Sequence, residues 1–219
     1  MCGRFSLTTD EAILNERFRL VGGTEPYVAR YNCSPTQNLI VITGQLPRQK
    51  KCFKWGLIPF WAKDEKIGNK MINARAESIE EKPSYRNAFL HRRCLVPADG
   101  FYEWKNQNGK TPYRIALKNN QLFAMAGIWE AWKNLAGTTV FSFSIITTTA
   151  NEIMNGIHER MPVILPPESE ELWLESNDTN QLRQLLAPYR WDLMVAYEVS
   201  KLVNSPGNDN PDLIIPVNR

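Results

Sequence analysis

The chain has 219 residues, 43% of them hydrophobic and 22% charged, with a formal net charge of +3. That composition fits one globular domain over 2–219 with a sizeable core, and excludes a disordered chain, a collagen-like repeat and a disulfide-stapled miniprotein. No apolar run approaches the roughly 20 residues that span a bilayer, and no apolar stretch follows the charge in Met1-Cys2-Gly3-Arg4-Phe5 as in a secretory leader.

In chain order, the pattern predicts a first helix over Thr9–Phe18. Thr8 with Glu11 reads as its capping box, and Ile13, Leu14 and Phe18 as its apolar stripe. Short strand-like runs rich in Val, Ile, Phe and Thr follow at Leu39–Thr43, Lys51–Leu57, Arg93–Pro97, Phe101–Trp104, Tyr113–Leu117, Leu122–Ile128 and Thr139–Thr147. Gly, Pro and Asn turns such as Asn106–Lys110 bound them. Helical patterns fall at Pro83–His91, Ala150–Asn155, Pro167–Glu175 and Asp178–Ala187, the last two opened by Pro167 and by Asn177/Asp178. Strands and helices do not alternate. The expected fold is therefore α+β, with a curved, mostly antiparallel, barrel-like sheet and peripheral helices.

The four cysteines, Cys2, Cys33, Cys52 and Cys94, form no C-x-x-C pair, and His91 and His158 lie far from any such pair. A zinc site or redox pair is not expected, nor any metal or cofactor. Reduced thiols in a cytoplasmic protein fit this usage, with Cys33, Cys52 and Cys94 read as small buried hydrophobes. Charge is uneven. Arg48–Lys105 holds 13 Lys+Arg against 7 Asp+Glu, a net of +6, while Ala150–Arg219 carries −6. The basic stretch is interleaved with Trp55, Phe60, Trp61, Tyr85, Phe101, Tyr102 and Trp104. Cations for phosphates and rings for bases suit single-stranded nucleic acid, though a solvated basic face over an aromatic core has the same composition.

Position 2 sets one cysteine apart. Removal of Met1 before a small side chain would leave Cys2 with a free α-amine and a thiol on one residue. The amine has an ordinary pKa near 8, so part of it is nucleophilic at pH 7. Such a 1,2-aminothiol condenses with an aldehyde to an imine, and the thiol then closes a five-membered thiazolidine. Lysine stops at the hydrolysable imine. Arg4 could lower the thiol pKa or hold an anion.

Asn73, Arg75 and Glu77 would share one face of an extended segment, suited to a phosphate or sugar or simply the wet face of an edge strand. Glu103, between Tyr102 and Trp104, sits in company that would desolvate it and raise its pKa for proton transfer; the alternative is an outward-facing carboxylate. His158 is the best near-neutral acid/base in the chain, or a structural hydrogen-bonder before the buried run that follows.

Met1-Cys2-Gly3-Arg4-Phe5, Tyr31-Asn32-x-x-Pro35, Trp55-Gly56-Leu57-Ile58-Pro59-x-Trp61, Asn73-Ala74-Arg75-Ala76-Glu77, Pro97–Trp104 and His158-x-Arg160-Met161-Pro162 stand in an order that resembles the SOS-response-associated peptidase (SRAP) family, whose members process abasic sites. The resemblance runs from Cys2 to Leu213–Val217. It implies a partner, single-stranded DNA containing an abasic site, and a thiazolidine crosslink through Cys2. It also implies catalytic roles for Cys2, Asn73, Glu103 and His158: Asn73 orients Cys2, Glu103 moves protons, and His158 assists opening of the sugar ring. Arg4 and Arg75 would hold phosphates. Phe60 with Trp61 would act as a wedge or stack, and Trp104 and Thr147 would complete the DNA-binding set. A monomer acting in the cytoplasm at damaged or replicating DNA is expected, with the SOS response as its setting.

Two other readings stay open: a thiol or N-terminal-nucleophile peptidase that mainly removes its own Met1, and a non-covalent single-strand-binding module.

Overall fold

A computed structural model describes residues 2–21, 25–44, 48–107 and 109–217. In it, two strands separated by the single residue Asp99 belong to different sheets. The strands are β1 (Phe5–Leu7), β2 (Arg30–Cys33), β3 (Asn38–Thr43), β4 (Lys50–Trp55), β5 (Asn73–Arg75), β6 (Arg93–Ala98), β7 (Gly100–Asn106), β8 (Lys110–Leu117), β9 (Phe123–Lys133), β10 (Thr139–Thr149), β11 (Arg160–Pro162), β12 (Ile164–Leu165) and β13 (Met194–Glu198). The helices are α1 (Glu11–Phe18), α2 (Pro83–His91), α3 (Glu152–Asn155), α4 (Glu170–Glu175) and α5 (Thr179–Gln184).

One sheet is antiparallel and five-stranded, in the order β13-β8-β7-β1-β2. In the other, β4, β3, β6, β9 and β10 pair in turn, and β10 pairs again with β4, so these five close a barrel. Closure removes the free edges that an open sheet would expose. All these pairings are antiparallel except β10 with β4. The α+β fold with a curved, mostly antiparallel sheet is thus the one the sequence predicts.

Phe5, Trp55, Val96, Phe101, Met125 and Phe143 fill one core cluster, which also takes in Cys2, Cys33 and Cys94. A second cluster packs Leu14 and Phe18 of α1, Phe89 of α2, Trp173 of α4 and Leu182 of α5 against barrel residues such as Leu95 and Ile128. Each fully buried side chain of this size contributes about 1.5–3 kcal/mol.

Several local expectations are corrected. The first helix starts at Glu11, and Thr8 does not cap it: its backbone N–H and hydroxyl both donate to Asp99. Ile13, expected on the apolar stripe, is 52% exposed. Cys52, expected to be buried, is exposed on β4. Strands β1, β2, β11, β12 and β13 lie outside the predicted runs. Of the Asn106–Lys110 turn, Asn108 lies outside the described residues; Gly109 takes φ 113°, open to glycine at little cost. Asp178 caps α5 as predicted, accepting from the Asn180 N–H.

Candidate active site

The site begins where β1 lies along β7. Phe5 pairs with Phe101 and Ser6 with Gly100, and the Tyr102 N–H donates to the Arg4 carbonyl at 2.9 Å. This register carries residues 2–4 towards Glu103 and Trp104. The Cys2 side chain is fully buried, and its thiol points to the Arg4 carbonyl 3.9 Å away. Burial pushes the thiol well above the ordinary thiol range, and the nearby Glu103 charge pushes it further. Cys2 therefore stands as a neutral thiol. The Arg4 Nη1 donates to Asn32 Oδ1 and to the Val203 carbonyl, both at 2.8 Å.

Asn73 reaches Cys2 from β5. Its side-chain amide nitrogen donates to the Cys2 carbonyl at 2.8 Å, while its backbone carbonyl accepts from the Tyr85 hydroxyl of α2 at 3.1 Å. Pairing of β5 with β10 sets Asn73 beside Ile145 and Arg75 beside Thr147, with Arg75 exposed. Glu77 does not continue that strand. It falls in a 3-10 turn over Ala76–Ser78, where its carboxylate takes a bidentate pair from Arg160 at 2.6 and 3.0 Å. Arg160 holds its ordinary grip on β10 as well, donating to the Thr147 carbonyl at 2.6 Å and hydroxyl at 3.3 Å. Thr147 is fully buried.

Glu103 is 2% exposed on β7, between Tyr102, whose ring is buried, and Trp104. Burial pushes its carboxyl up. His158 Nδ1 accepts from the Arg160 backbone N–H at 3.0 Å. That bond assigns the tautomer: the neutral imidazole carries its proton on Nε2. Glu103, Trp104, Asn106, Lys110, His158 and Asn204 line one cleft of about 490 Å³. The Trp104 indole N–H donates to Asn204 Oδ1 at 2.7 Å, and the Arg4 guanidinium lies 5.9 Å from the Trp104 ring centre.

Phe60 and Trp61 stand apart on a turn after β4, 60% and 49% exposed. The Ala62 N–H closes that turn on the Pro59 carbonyl, and the Trp132 indole N–H anchors it through the Ala62 carbonyl at 2.7 Å. Among the described residues, no group of three or more His, Cys, Asp and Glu is placed to hold a metal ion.

Glu103, Trp104 and His158 therefore share one cleft; Cys2 lies buried close to Glu103 and is tied to Asn73 through its carbonyl, and Arg4 lies beside Trp104. Sequence reasoning missed Asn32, Arg160 and Asn204 as partners of this set. The first two lie inside the quoted motifs; Asn204 carries no local signal.

The fold is a two-sheet α+β one in which buried Cys2 lies close to a buried carboxylate. The model of the SOS response associated peptidase (SRAP) family matches residues 1–206, and this chain belongs to that family. It is 49% identical over 222 residues to the abasic site processing protein YoqW of Bacillus subtilis, covering 98% of this chain and 99% of the relative. It is 31% identical to the abasic site processing protein HMCES of Xenopus tropicalis, covering 90% of this chain and 68% of that protein. A crystal structure of a protein from Bacteroides thetaiotaomicron superposes with a TM-score of 0.87 at 32% identity, covering 98% of this chain and 99% of that one.

Proposed function

We propose that this protein recognises abasic sites in single-stranded DNA and, once Met1 is removed, captures them as a thiazolidine through Cys2. The crosslink shields the lesion from strand cleavage. The observation that carries this reading is that Cys2, held through its carbonyl by Asn73, lies buried close to Glu103, which lines one cleft with His158. The names of the relatives support the substrate class. Met1 itself lies outside the described residues.

The chemistry follows from the states of these groups. His158 Nε2–H donates a hydrogen bond to the furanose ring oxygen, and the C1′ hydroxyl proton ends on that oxygen as the ring opens to the aldehyde. The Cys2 α-amine adds to that aldehyde. Glu103, whose carboxyl burial pushes up so that it holds its proton more tightly, gives a proton to the carbinolamine hydroxyl, which leaves as water. The Cys2 sulfur then bonds to the iminium carbon and its proton passes to Glu103, which regains its starting state. One water is lost overall. Ring closure removes the iminium cation, which acidifies C2′ and drives β-elimination, so thiol and amine do different work. Arg4 and Arg75 would hold phosphates, Phe60 and Trp61 would stack at a strand boundary, and buried Thr147 would act only through Arg160. Transient lyase activity belongs to the imine stage, and Glu103 beside Cys2 would also serve removal of Met1.

Intact mass spectrometry tests the reading. Protein lacking Met1, incubated with a single strand carrying one abasic site, should give an adduct equal to the sum of the two masses less one water. An unmodified protein mass refutes it.

A further inference from the structure

Asn32 lies fully buried on β2, and each polar atom of its side chain is engaged. Its Oδ1 accepts from Arg4 Nη1 at 2.8 Å. Its amide nitrogen donates towards the carbonyls of Val203 at 3.3 Å, Ser205 at 3.0 Å and Asn208 at 2.7 Å. The backbone around it adds a second tie: the N–H groups of Tyr31 and Asn32 donate to Asp209 Oδ1 at 2.6 and 3.1 Å. One buried amide thus joins the strand beside β1, the Arg4 guanidinium and the segment over residues 203–209.

That segment bears on the cleft. Asn204, inside it, lines the cleft wall and accepts from the Trp104 indole N–H. Arg4 Nη1 is shared between Asn32 and the Val203 carbonyl, so the guanidinium is held in one direction beside Trp104. A free arginine side chain samples many rotamers, and a pre-aimed fork gives up less freedom on meeting a phosphate.

We propose that Asn32 is a positioning residue for DNA binding: it aims the Arg4 guanidinium and fastens the 203–209 segment as the cleft wall. The inference rests on reading the cleft as a DNA site. Its test is independent of the covalent step, because it uses a single strand containing a tetrahydrofuran abasic analogue, which has no aldehyde.

The quantity to measure is the slope of log affinity against log salt. Each phosphate contact on a single strand contributes about 0.7 to that slope. Asn32→Ala should make it shallower by about 0.7, and Arg4→Ala added to Asn32→Ala should change it no further. A variant that merely lowered the folded fraction would weaken binding with the wild-type slope, and that outcome overturns the proposal. Wild-type protein gives a second reading that needs no substitution. Side-chain NMR relaxation at Arg4 Nε should report a guanidinium ordered before DNA is added, and free averaging there overturns the proposal equally. Absence of a crosslink to a true abasic strand, by contrast, counts against the covalent function and leaves the slope test intact.

Discussion

The Asn73 side-chain amide donates to the Cys2 carbonyl at 2.8 Å, tying the start of the chain to a strand 71 residues further on. A hydrogen bond of this kind contributes about 0.5–1.5 kcal/mol net. Asn73→Ala should therefore slow crosslink formation by roughly 2- to 13-fold. Single-turnover kinetics at saturating DNA check this; an unchanged rate would remove Asn73 from the reaction.

Glu103 gives a pH prediction for both stability and rate. Its folded carboxyl keeps its proton to higher pH than in the unfolded chain. Its stabilising contribution is thus complete below the unfolded pKa, about 4.3, and is lost as pH rises through the folded value. Above that value the wild type carries the cost of a buried carboxylate, which Glu103→Gln removes. The melting temperature of the glutamine variant should exceed that of the wild type at pH 8, with the gap closing towards pH 4. Crosslinking should fall roughly 10²–10⁴-fold in the same variant, the span expected for loss of a general acid–base. Parallel thermal melts and rate profiles across pH decide both.

Asp99 and Arg114 form a buried ion pair at 2.9 Å, where the chain passes from β6 to β7. Asp99 also takes the Ser6 hydroxyl at 2.6 Å and the Thr8 hydroxyl at 2.7 Å, so the pair fixes β1 on β7. Breaking such a pair costs about 3–5 kcal/mol. Arg114→Met should lower the melting temperature by roughly 6–20 °C. Gly100→Ala should act on the same pair, since its Cβ would fall 2.6 Å from the Arg114 guanidinium carbon. Calorimetry that finds either variant as stable as the wild type would contradict this anchoring.

The exposed rings on the turn after β4 make the opposite prediction. Phe60→Ala and Trp61→Ala should leave stability within about 0.5 kcal/mol. If each ring stacks on a base, each substitution should weaken single-strand binding by about 1–3 kcal/mol. Fluorescence anisotropy on a labelled strand measures the effect, and unchanged affinity in both variants would take this turn out of the interface.

Legibility in the sequence followed the range of the forces involved. Long hairpin strands such as β9 and β10, and the Pro83–His91 helix with proline at its start, were readable because pattern and turn residues are local. Three-residue β1 and β11 escaped, since too few residues alternate to show a period and their pairing partners lie far along the chain. Thr8 looked like a helix cap but is claimed by Asp99, a contact across 91 residues. Glu77 left its expected face because Arg160, 83 residues away, holds it in a turn. The desolvating company of Glu103 was legible from Tyr102 and Trp104 beside it. The burial of Cys2 and the capture of Arg4 by Asn32 depend on the meeting of β1, β2 and the 203–209 segment, which no local pattern announces.

The covalent claim is tested most directly on a denaturing gel. Protein without Met1 is incubated with a single strand carrying either one abasic site or one tetrahydrofuran site, then heated and separated. The account predicts a heat-stable shifted band only with the abasic strand, and only with Cys2 present. Cys2→Ser should give strand cleavage from the transient imine and no stable band. A heat-stable crosslink formed by Cys2→Ser, or by the wild type on the aldehyde-free strand, would contradict it.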